Sequence, residues 1–357
     1  MAFKSEQKNL TFSDLEKSFK DEKNRSLKTL MDLKNTIFWD RIESILLKGY
    51  PVGQKKEGNR AYPPLLLFKC LLLQKWFQVK SDPELESQIN DRHSFQSFLG
   101  LSASQASPDH STFSKFRKRL TKGKFDLIVG EILNQFSDQG LTINEGIAID
   151  ARVVRSASKP VSNKKFEELR DKRGTPEGKL DINGKPLKFS RDVESNWVTK
   201  NDEYYYGIKE HTSVDAKYGF VLATVLSKAS VHDTNYFTYC TLYSRHTKHS
   251  VAIVYADKGY AGEPNRTFLN LNKLKDCIMR KDSKNAKLTQ HEIDLNKKIS
   301  KVRYIVEQYF GLSHLYNDGQ KERFTTIDKN HIDIWIRQVA FNIKRGLKIF
   351  QKQESIA

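Results

Sequence analysis

The first 135 residues show the spacing of apolar positions that is typical of helices. Residues 1–60 are highly charged, with one apolar helical face near residues 38–46. Residues 53–64 are rich in Gly, Pro and Lys, as linkers are, and residues 65–79 form an apolar run that predicts a buried helix. We therefore expect an all-helical N-terminal region over about residues 1–135.

Residues 81–120 of this region have the pattern of a helix-turn-helix. Ser81 or Asp82 can cap the first predicted helix, and the second begins near Pro108. Apolar residues recur with helical spacing in the second helix, so we expect its basic and hydroxyl residues to face outward, as a reader of the DNA major groove requires. An ordinary solvated helix has the same pattern, and both interpretations stay open. The candidate DNA-binding residues on this helix are His110, Ser111, Lys115, Arg117 and Lys118.

From residue 146 onward the pattern changes to short apolar or alternating runs that predict strands. The predicted strands cover residues 146–151, 204–214, 220–226, 251–255 and 277–279, and the predicted helices cover residues 263–274, 290–316 and 331–350. This order predicts an α/β domain of RNase H-like fold, with a mixed five-stranded sheet and helices, over about residues 140–350. A segment rich in Gly, Pro and Lys at about residues 158–195 predicts a mobile basic insertion.

The net charge of the chain indicates which class of molecule it binds. Lysine and arginine number 61 against 43 aspartate and glutamate, which gives a net charge of +18. A surface this basic attracts polyanions, of which nucleic acid is the common one. Hydrophobic residues make up 38% of the chain, as in folded globular proteins, and no apolar run is long enough to span a membrane. We expect no membrane partner and a cytoplasmic location.

The cysteines and histidines give no sign of a disulfide framework or a zinc site. The three cysteines, Cys70, Cys240 and Cys277, are widely spaced, which fits a reducing interior. His246 and His249 form an HxxH pattern, but no further ligand is well spaced beside them. A polar loop explains this pair better than a metal site does.

Two aspartates lie where predicted strands end. Asp150 follows an apolar run in the first strand, and Asp257 follows the fourth. A carboxylate at such a position can point into a cleft and bind a cation, although single acids there usually form turns.

A third acid, Glu307, lies on the long predicted helix. The predicted buried stripe of this helix consists of Val302, Ile305, Val306, Tyr309 and Leu312. Arg303, Glu307 and His314 then share the opposite face. One interpretation is a metal-binding carboxylate beside cations that contact phosphate, and the other is a solvated salt-bridge face.

Three carboxylates around hard cations suit phosphoryl transfer without a protein nucleophile. Two Mg²⁺ ions about 4 Å apart can activate the attacking oxygen and stabilise the leaving one. The chain has neither a P-loop nor a GxSxG motif, so ATP hydrolysis and α/β-hydrolase chemistry have no support.

The sequence resembles the DDE transposases of the IS-five group, within the IS-four superfamily of insertion sequences. The resemblance spans about residues 62–350. The motifs that carry it are, in order, YPPLLLFKCLLLQKWF, SDPELESQINDRHSFQSFLGL, SPDHSTFSKFRKRL, IAIDARVV, YYYGIKEHTSVD, ASVHDTN, YADKGYAG and VRYIVEQYFGL.

The resemblance implies a catalytic role for each acid. The IDA motif assigns Asp150, the ADKGY motif assigns Asp257, and the R-x3-E motif assigns Arg303 and Glu307. The resemblance further implies Mg²⁺ as cofactor, with Mn²⁺ as a substitute. It also implies double-stranded DNA partners, namely terminal inverted repeats and target DNA, a homodimer in the DNA complex, and a prokaryotic, nucleoid-associated location. The chain departs from the fuller signature, which has tyrosine and lysine where Ser300 and His314 stand.

Four other residues each allow a functional and a structural interpretation. Lys209 and His211 can approach DNA phosphate or remain solvated strand residues. We expect Asp233 to cap a helix rather than bind a metal, and Trp197 to anchor the core rather than stack on a displaced base.

Three function classes remain open at this point. The first is an active transposase. The second is a DNA-binding relic or regulator that holds the ends without cutting them. The third is a related nuclease that resolves junctions without strand transfer.

Overall fold

The computed structural model describes residues 24–53, 60–102, 105–143, 146–158, 194–200, 202–245, 251–282, 287–316 and 319–355. The chain divides into two compact units. The first comprises Met1–Ile143 and Trp335–Ala357, and the second comprises Asn144–Ile334. Most of the predicted basic insertion lies outside the described residues, as do His246 and His249.

The first unit is helical, as the apolar spacing predicts. Its helices before residue 143 are α1 (Arg25–Asn35), α2 (Trp39–Leu47), α3 (Pro64–Trp76), α4 (Asp82–Asp91), α5 (His93–Leu99), α6 (His110–Arg117) and α7 (Lys122–Asp138). Ser81 caps α4 by accepting from the Glu84 amide at 3.2 Å, and Asp109 caps α6 by accepting from the Ser111 amide at 2.7 Å. The structure adds α5 and α7 to the helices that we predicted.

Aromatic side chains hold the first unit together and include residues from both of its chain segments. Phe125 packs against Phe68 and against Trp335, with ring centroids 6.4 and 5.5 Å apart. The indole of Trp76 donates to the Ala340 carbonyl at 2.8 Å. The C-terminal segment from Trp335 onward thus completes this core, whereas the sequence pattern placed residues up to 350 with the second unit.

The second unit is built on a mixed sheet of six strands. These are β1 (Ile147–Arg155), β2 (Asn196–Lys200), β3 (Glu203–Asp215), β4 (Val221–Lys228), β5 (Ile253–Ala256) and β6 (Lys275–Ile278). The order is β2-β3-β1-β5-β6, with β4 also paired to β3. β1 runs antiparallel to β3 and parallel to β5, which itself runs parallel to β6. This confirms the predicted RNase H-like arrangement and adds β2 to the five predicted strands.

Helices complete the second unit. They are α8 (Phe237–Tyr243), α9 (Glu263–Leu271), α10 (Gln290–Tyr316) and the start of α11 (Ile327–Glu354), with short 3₁₀ helices at Asp233–Tyr236 and Lys258–Tyr260. α10 begins and ends where the periodicity predicts. None of the helices in the described ranges is long and apolar enough to span a membrane.

Candidate active site

The parallel pairing of β1 with β5 brings Asp150 and Asp257 side by side. In this ladder Ile147 pairs with Val254 and Ile149 with Ala256. Asp150 and Asp257 come directly after the last paired residues, so both lie where the parallel ladder ends. The two strands alone therefore place the two acids together.

Asp150 does not end its strand, contrary to the prediction. β1 continues to Arg155 because its other edge stays paired with β3, and Asp150 is opposite Thr212 in that ladder. Asp257 does follow the end of β5. Its carboxylate accepts from the Lys258 amide at 2.5 Å and caps the 3₁₀ helix that follows, so it forms a turn as well as facing the site.

The third acid comes from α10, which packs against β1, β3 and β5. Glu307 is exposed, whereas Arg303, one turn earlier, is buried with 7% of its surface accessible. The Arg303 guanidinium donates from Nη2 to Asp150 Oδ2 at 2.9 Å and lies 3.8 Å from Glu307 Oε1. This one cation therefore contacts carboxylates from the sheet and from the helix.

The predicted helix face needs correction at Arg303. The buried residues of α10 are Ile299, Arg303, Val306, Tyr309 and Ser313, so Arg303 belongs to the covered face and not to the solvent face with Glu307 and His314. The reason is the ion pair with Asp150, which helix periodicity cannot reveal. His314 is exposed and hydrogen-bonds to Gln320, away from the described contacts of Asp150.

Nearby positive charge compensates the negative charge of the Asp150 carboxylate only in part. Burial raises the pKa of Asp150, and the nearby Asp257 carboxylate raises it further. Arg303 and the Ala151 amide act in the opposite direction but do not cancel the effect on the pKa of Asp150. A cation near both aspartates would relieve this cost.

A buried ion pair fastens α10 to the sheet beside these acids. Glu210 on β3 is fully buried and pairs with Arg152 on β1, with Arg152 Nη2 2.6 Å from Glu210 Oε2. The Tyr309 hydroxyl of α10 donates to Glu210 Oε1 at 2.9 Å, and Arg152 Nη1 donates to the Phe310 carbonyl at 3.0 Å. Sequence reasoning missed this network, because Glu210 resembles a solvated strand residue until α10 covers it.

Several predicted DNA-binding residues are buried instead. Arg117 is 6% exposed, and its Nη2 donates to Asp82 Oδ1 at 2.7 Å and to Gln74 Oε1 at 2.9 Å. Its placement on an outward basic face was wrong, because α6 turns this side chain toward α3 and α4. His110, Lys115 and Lys118 are exposed as predicted, and Ser111 is half-buried.

His211 and Lys209 also have partners inside the protein. His211 is 1% exposed, its Nε2 lies 2.8 Å from Ser227 Oγ, and its ring stacks on Tyr236. Burial lowers the pKa of His211 to about 4, so the ring is neutral at pH 7 and carries no charge toward phosphate. Lys209 Nζ lies 2.9 Å from Asp233 Oδ1 and donates to the Val231 carbonyl.

Two smaller expectations were wrong. Asp233 does not cap the short 3₁₀ helix; His232 does, by accepting from the Thr234 amide, and Asp233 is the first helical residue. Trp197 is not a core anchor, since 44% of its surface is exposed on β2, where it packs on Tyr206.

One group of metal-ligating side chains in the described ranges has its ligand atoms within 4.8 Å of one another: Glu86, Asp109 and His110. Glu86 Oε2 there accepts from both the His110 amide and His110 Nδ1, at 2.9 and 2.8 Å, and so ties α4 to the start of α6. Asp150, Asp257 and Glu307 are not as close together, and Arg303 lies between Asp150 and Glu307.

Comparison with known proteins identifies the family. Residues 14–119 match the family model described as Transposase domain (DUF772), and residues 143–343, more than half of the chain, match the Transposase DDE domain. A solved structure that the chain resembles is a piggyBac transposase synaptic complex with hairpin DNA, with a TM-score of 0.45 and 10% sequence identity over 88% of this chain and 73% of that chain. The chain belongs to the Transposase DDE domain family and is a DDE transposase, a polynucleotidyl transferase of DNA transposition.

Proposed function

We propose that this transposase cuts and joins the ends of an insertion sequence with two divalent metal ions held by Asp150, Asp257 and Glu307. The observation that carries the proposal is the register of β1 and β5, which puts Asp150 and Asp257 at the same point of the sheet, in front of α10. DDE transposases use divalent metals, and the three acids supply only carboxylate oxygens. Such donors suit Mg²⁺, with Mn²⁺ as a substitute.

The residues present fit a divalent ion. Asp150 is largely buried, and its raised pKa reflects burial and the neighbouring Asp257 anion, so added positive charge would stabilise the site. Bound ions would activate the attacking oxygen and stabilise the leaving oxygen of the DNA strand. The protein supplies the rest: the ladder of β1 and β5 fixes the two aspartates, and the Glu210 network fixes the helix that carries Glu307.

A basic groove beside α6 is the candidate surface for DNA. It encloses about 550 Å³ and is lined in part by Arg60, Thr112, Lys115 and Arg119, together with Tyr50 and Tyr62. Arg60, Lys115 and Arg119 have no carboxylate partner among the described residues, so their charge is available to an anion. We propose that this groove binds the DNA backbone, since hydroxyl and cationic side chains are the usual phosphate donors.

We further propose that the element belongs to the IS-five group, that the enzyme binds its terminal inverted repeats as a dimer, and that it then joins them to target DNA. The motif order around all three acids supports this proposal. The residue types at Ser300 and His314 favour one alternative, a regulator that holds ends without cutting them. These two positions carry tyrosine and lysine in the signature that the chain resembles, so two side chains of that signature are missing here.

The test is an assay of the wild-type protein on duplex DNA taken from beside its own gene. We expect Mg²⁺ or Mn²⁺ to give strand cleavage at the element end and joined products with a second duplex, and a chelator to abolish both. Tight, end-specific binding without cleavage in either metal would establish the regulator instead. Cleavage of branched junctions without joining would establish a nuclease.

The groove has a separate test in the salt dependence of binding. Each lost phosphate contact should lower the slope of log affinity against log salt by about one, so Lys115→Ala with Arg119→Ala should lower it by about two. Lys28→Ala, which removes an exposed charge from α1, is the matched control and should leave the slope unchanged. Equal slopes for the wild type, the double variant and Lys28→Ala would show that the groove does not contact DNA.

A further inference from the structure

Arg303 is buried, whereas a side chain whose only role is to bind DNA phosphate is expected at the surface. Its side chain is 9% exposed, yet it lies against two acids that we assign to metal ions. Its Nη2 is 2.9 Å from Asp150 Oδ2 and 3.8 Å from Glu307 Oε1. The guanidinium thus supplies positive charge at the place where the proposed function requires a divalent cation.

The other nitrogens of this guanidinium are poorly satisfied. Arg303 Nε is buried and has no hydrogen-bond partner among the described residues, and Nη1 has only the Met279 sulfur at 3.9 Å. Thioethers are weak acceptors, and buried charged donors are normally hydrogen-bonded to oxygen. Arg303 therefore has donors to spare for an anion with several oxygens, which is what a DNA phosphate offers.

A guanidinium on Asp150 Oδ2 competes with a divalent ion for that carboxylate, because two cations so close together repel each other. We propose that Arg303 acts as a switch: in the free protein it occupies Asp150 and keeps the metal affinity low, and a DNA phosphate draws it away and opens the metal site. The proposal rests on the proposed metal site. Because coupling between two ligands is reciprocal, DNA should tighten metal binding as much as metal tightens DNA binding.

The test measures Mn²⁺ binding to the full-length chain by calorimetry, with and without a duplex that carries the element end. Arg303→Gln removes the competing charge, so we expect it to bind Mn²⁺ about tenfold more tightly than wild type in the absence of DNA, a change of about 1.4 kcal/mol. DNA should tighten Mn²⁺ binding to wild type and have a much smaller effect on the variant. Arg266→Gln breaks the Arg266–Asp276 ion pair in the same unit and controls for the loss of one charge.

A second variant keeps the test valid if Arg303→Gln does not fold. Arg303→Met also removes the charge but keeps much of the side-chain volume, and Mn²⁺ should raise its melting temperature more than that of wild type. Mn²⁺ binding to either folded variant that equals or falls below the wild-type affinity overturns the switch. Asp150→Asn separates the two proposals. If this variant still binds Mn²⁺, the proposed metal site is wrong. If it loses Mn²⁺ binding, the metal site stands, and the Arg303 variants alone decide whether the switch is right.

Discussion

Arg117 and Lys115 lie two positions apart on α6 and have different roles. Arg117 is buried between Asp82 and Gln74, while Lys115 is exposed. Breaking a buried pair leaves its partner charge without compensation. Arg117→Ala should therefore lower the free energy of unfolding by about 3 kcal/mol or more, and Lys115→Ala should change it little. Urea unfolding of the two variants checks this, and equal stability would mean that Arg117 is not part of the core.

His211 makes stability depend on pH. Its pKa is lowered to about 4 by burial, whereas the unfolded chain has the ordinary value near 6.5. Between these two values the unfolded state binds more protons, so this contribution to stability is complete above about pH 6.5 and is lost as the pH falls toward 4. The loss should amount to at most about 3 kcal/mol. His211→Gln should flatten this part of the stability curve, and an unchanged curve would contradict a neutral buried ring.

At the scale of elements, the sequence predicted most of the second unit because its strands and helices have clear periodicities. α10 matches the predicted range, and the five predicted strands occur in the predicted order along the chain. β2 was missed because its five residues, Asn196–Lys200, are mostly exposed and short. The face of α10 was wrong at Arg303, because only a partner 153 positions away in the sequence explains why an arginine is covered.

The Glu210 network makes a prediction about α10 as a whole. Glu210→Gln removes a fully buried charge and leaves Arg152 without its partner, so the free energy of unfolding should fall by about 3 kcal/mol. Amide hydrogen exchange near residues 303–313 should become faster, since the contacts of Tyr309 with the sheet are weakened. Asp294→Asn removes an exposed acid from the same helix and should change neither quantity noticeably. Unchanged exchange in the Glu210 variant would show that the Glu210 network does not hold α10 on the sheet.

At the scale of the whole molecule, a net charge of +18 should dominate binding to DNA. Release of counterions makes affinity fall with salt, and we expect a loss of about 10³-fold or more between about 50 and 200 mM salt. Titrations of a duplex at several salt concentrations measure this. A flat response would contradict the argument that a polyanion is the partner.

The motifs of the resemblance name the three candidate acids from the sequence, and the sheet register places two of them together. The contacts with DNA were harder to predict, because exposure depends on packing between segments far apart in the chain. Arg117 and His211 have residue types that suit phosphate, yet both are enclosed by neighbours.

The most direct test of the account compares strand cleavage with DNA binding in Asp150→Asn, Asp257→Asn and Glu307→Gln. Each substitution removes one carboxylate and keeps its shape, so cleavage of the native end in Mg²⁺ or Mn²⁺ should fall by a factor on the order of 10² to 10³ or more. Binding to the same DNA should stay near the wild-type value, because the basic groove lies in the other unit. If any one variant cuts at close to the wild-type rate, that residue does not hold a catalytic metal, and the account of the site is wrong.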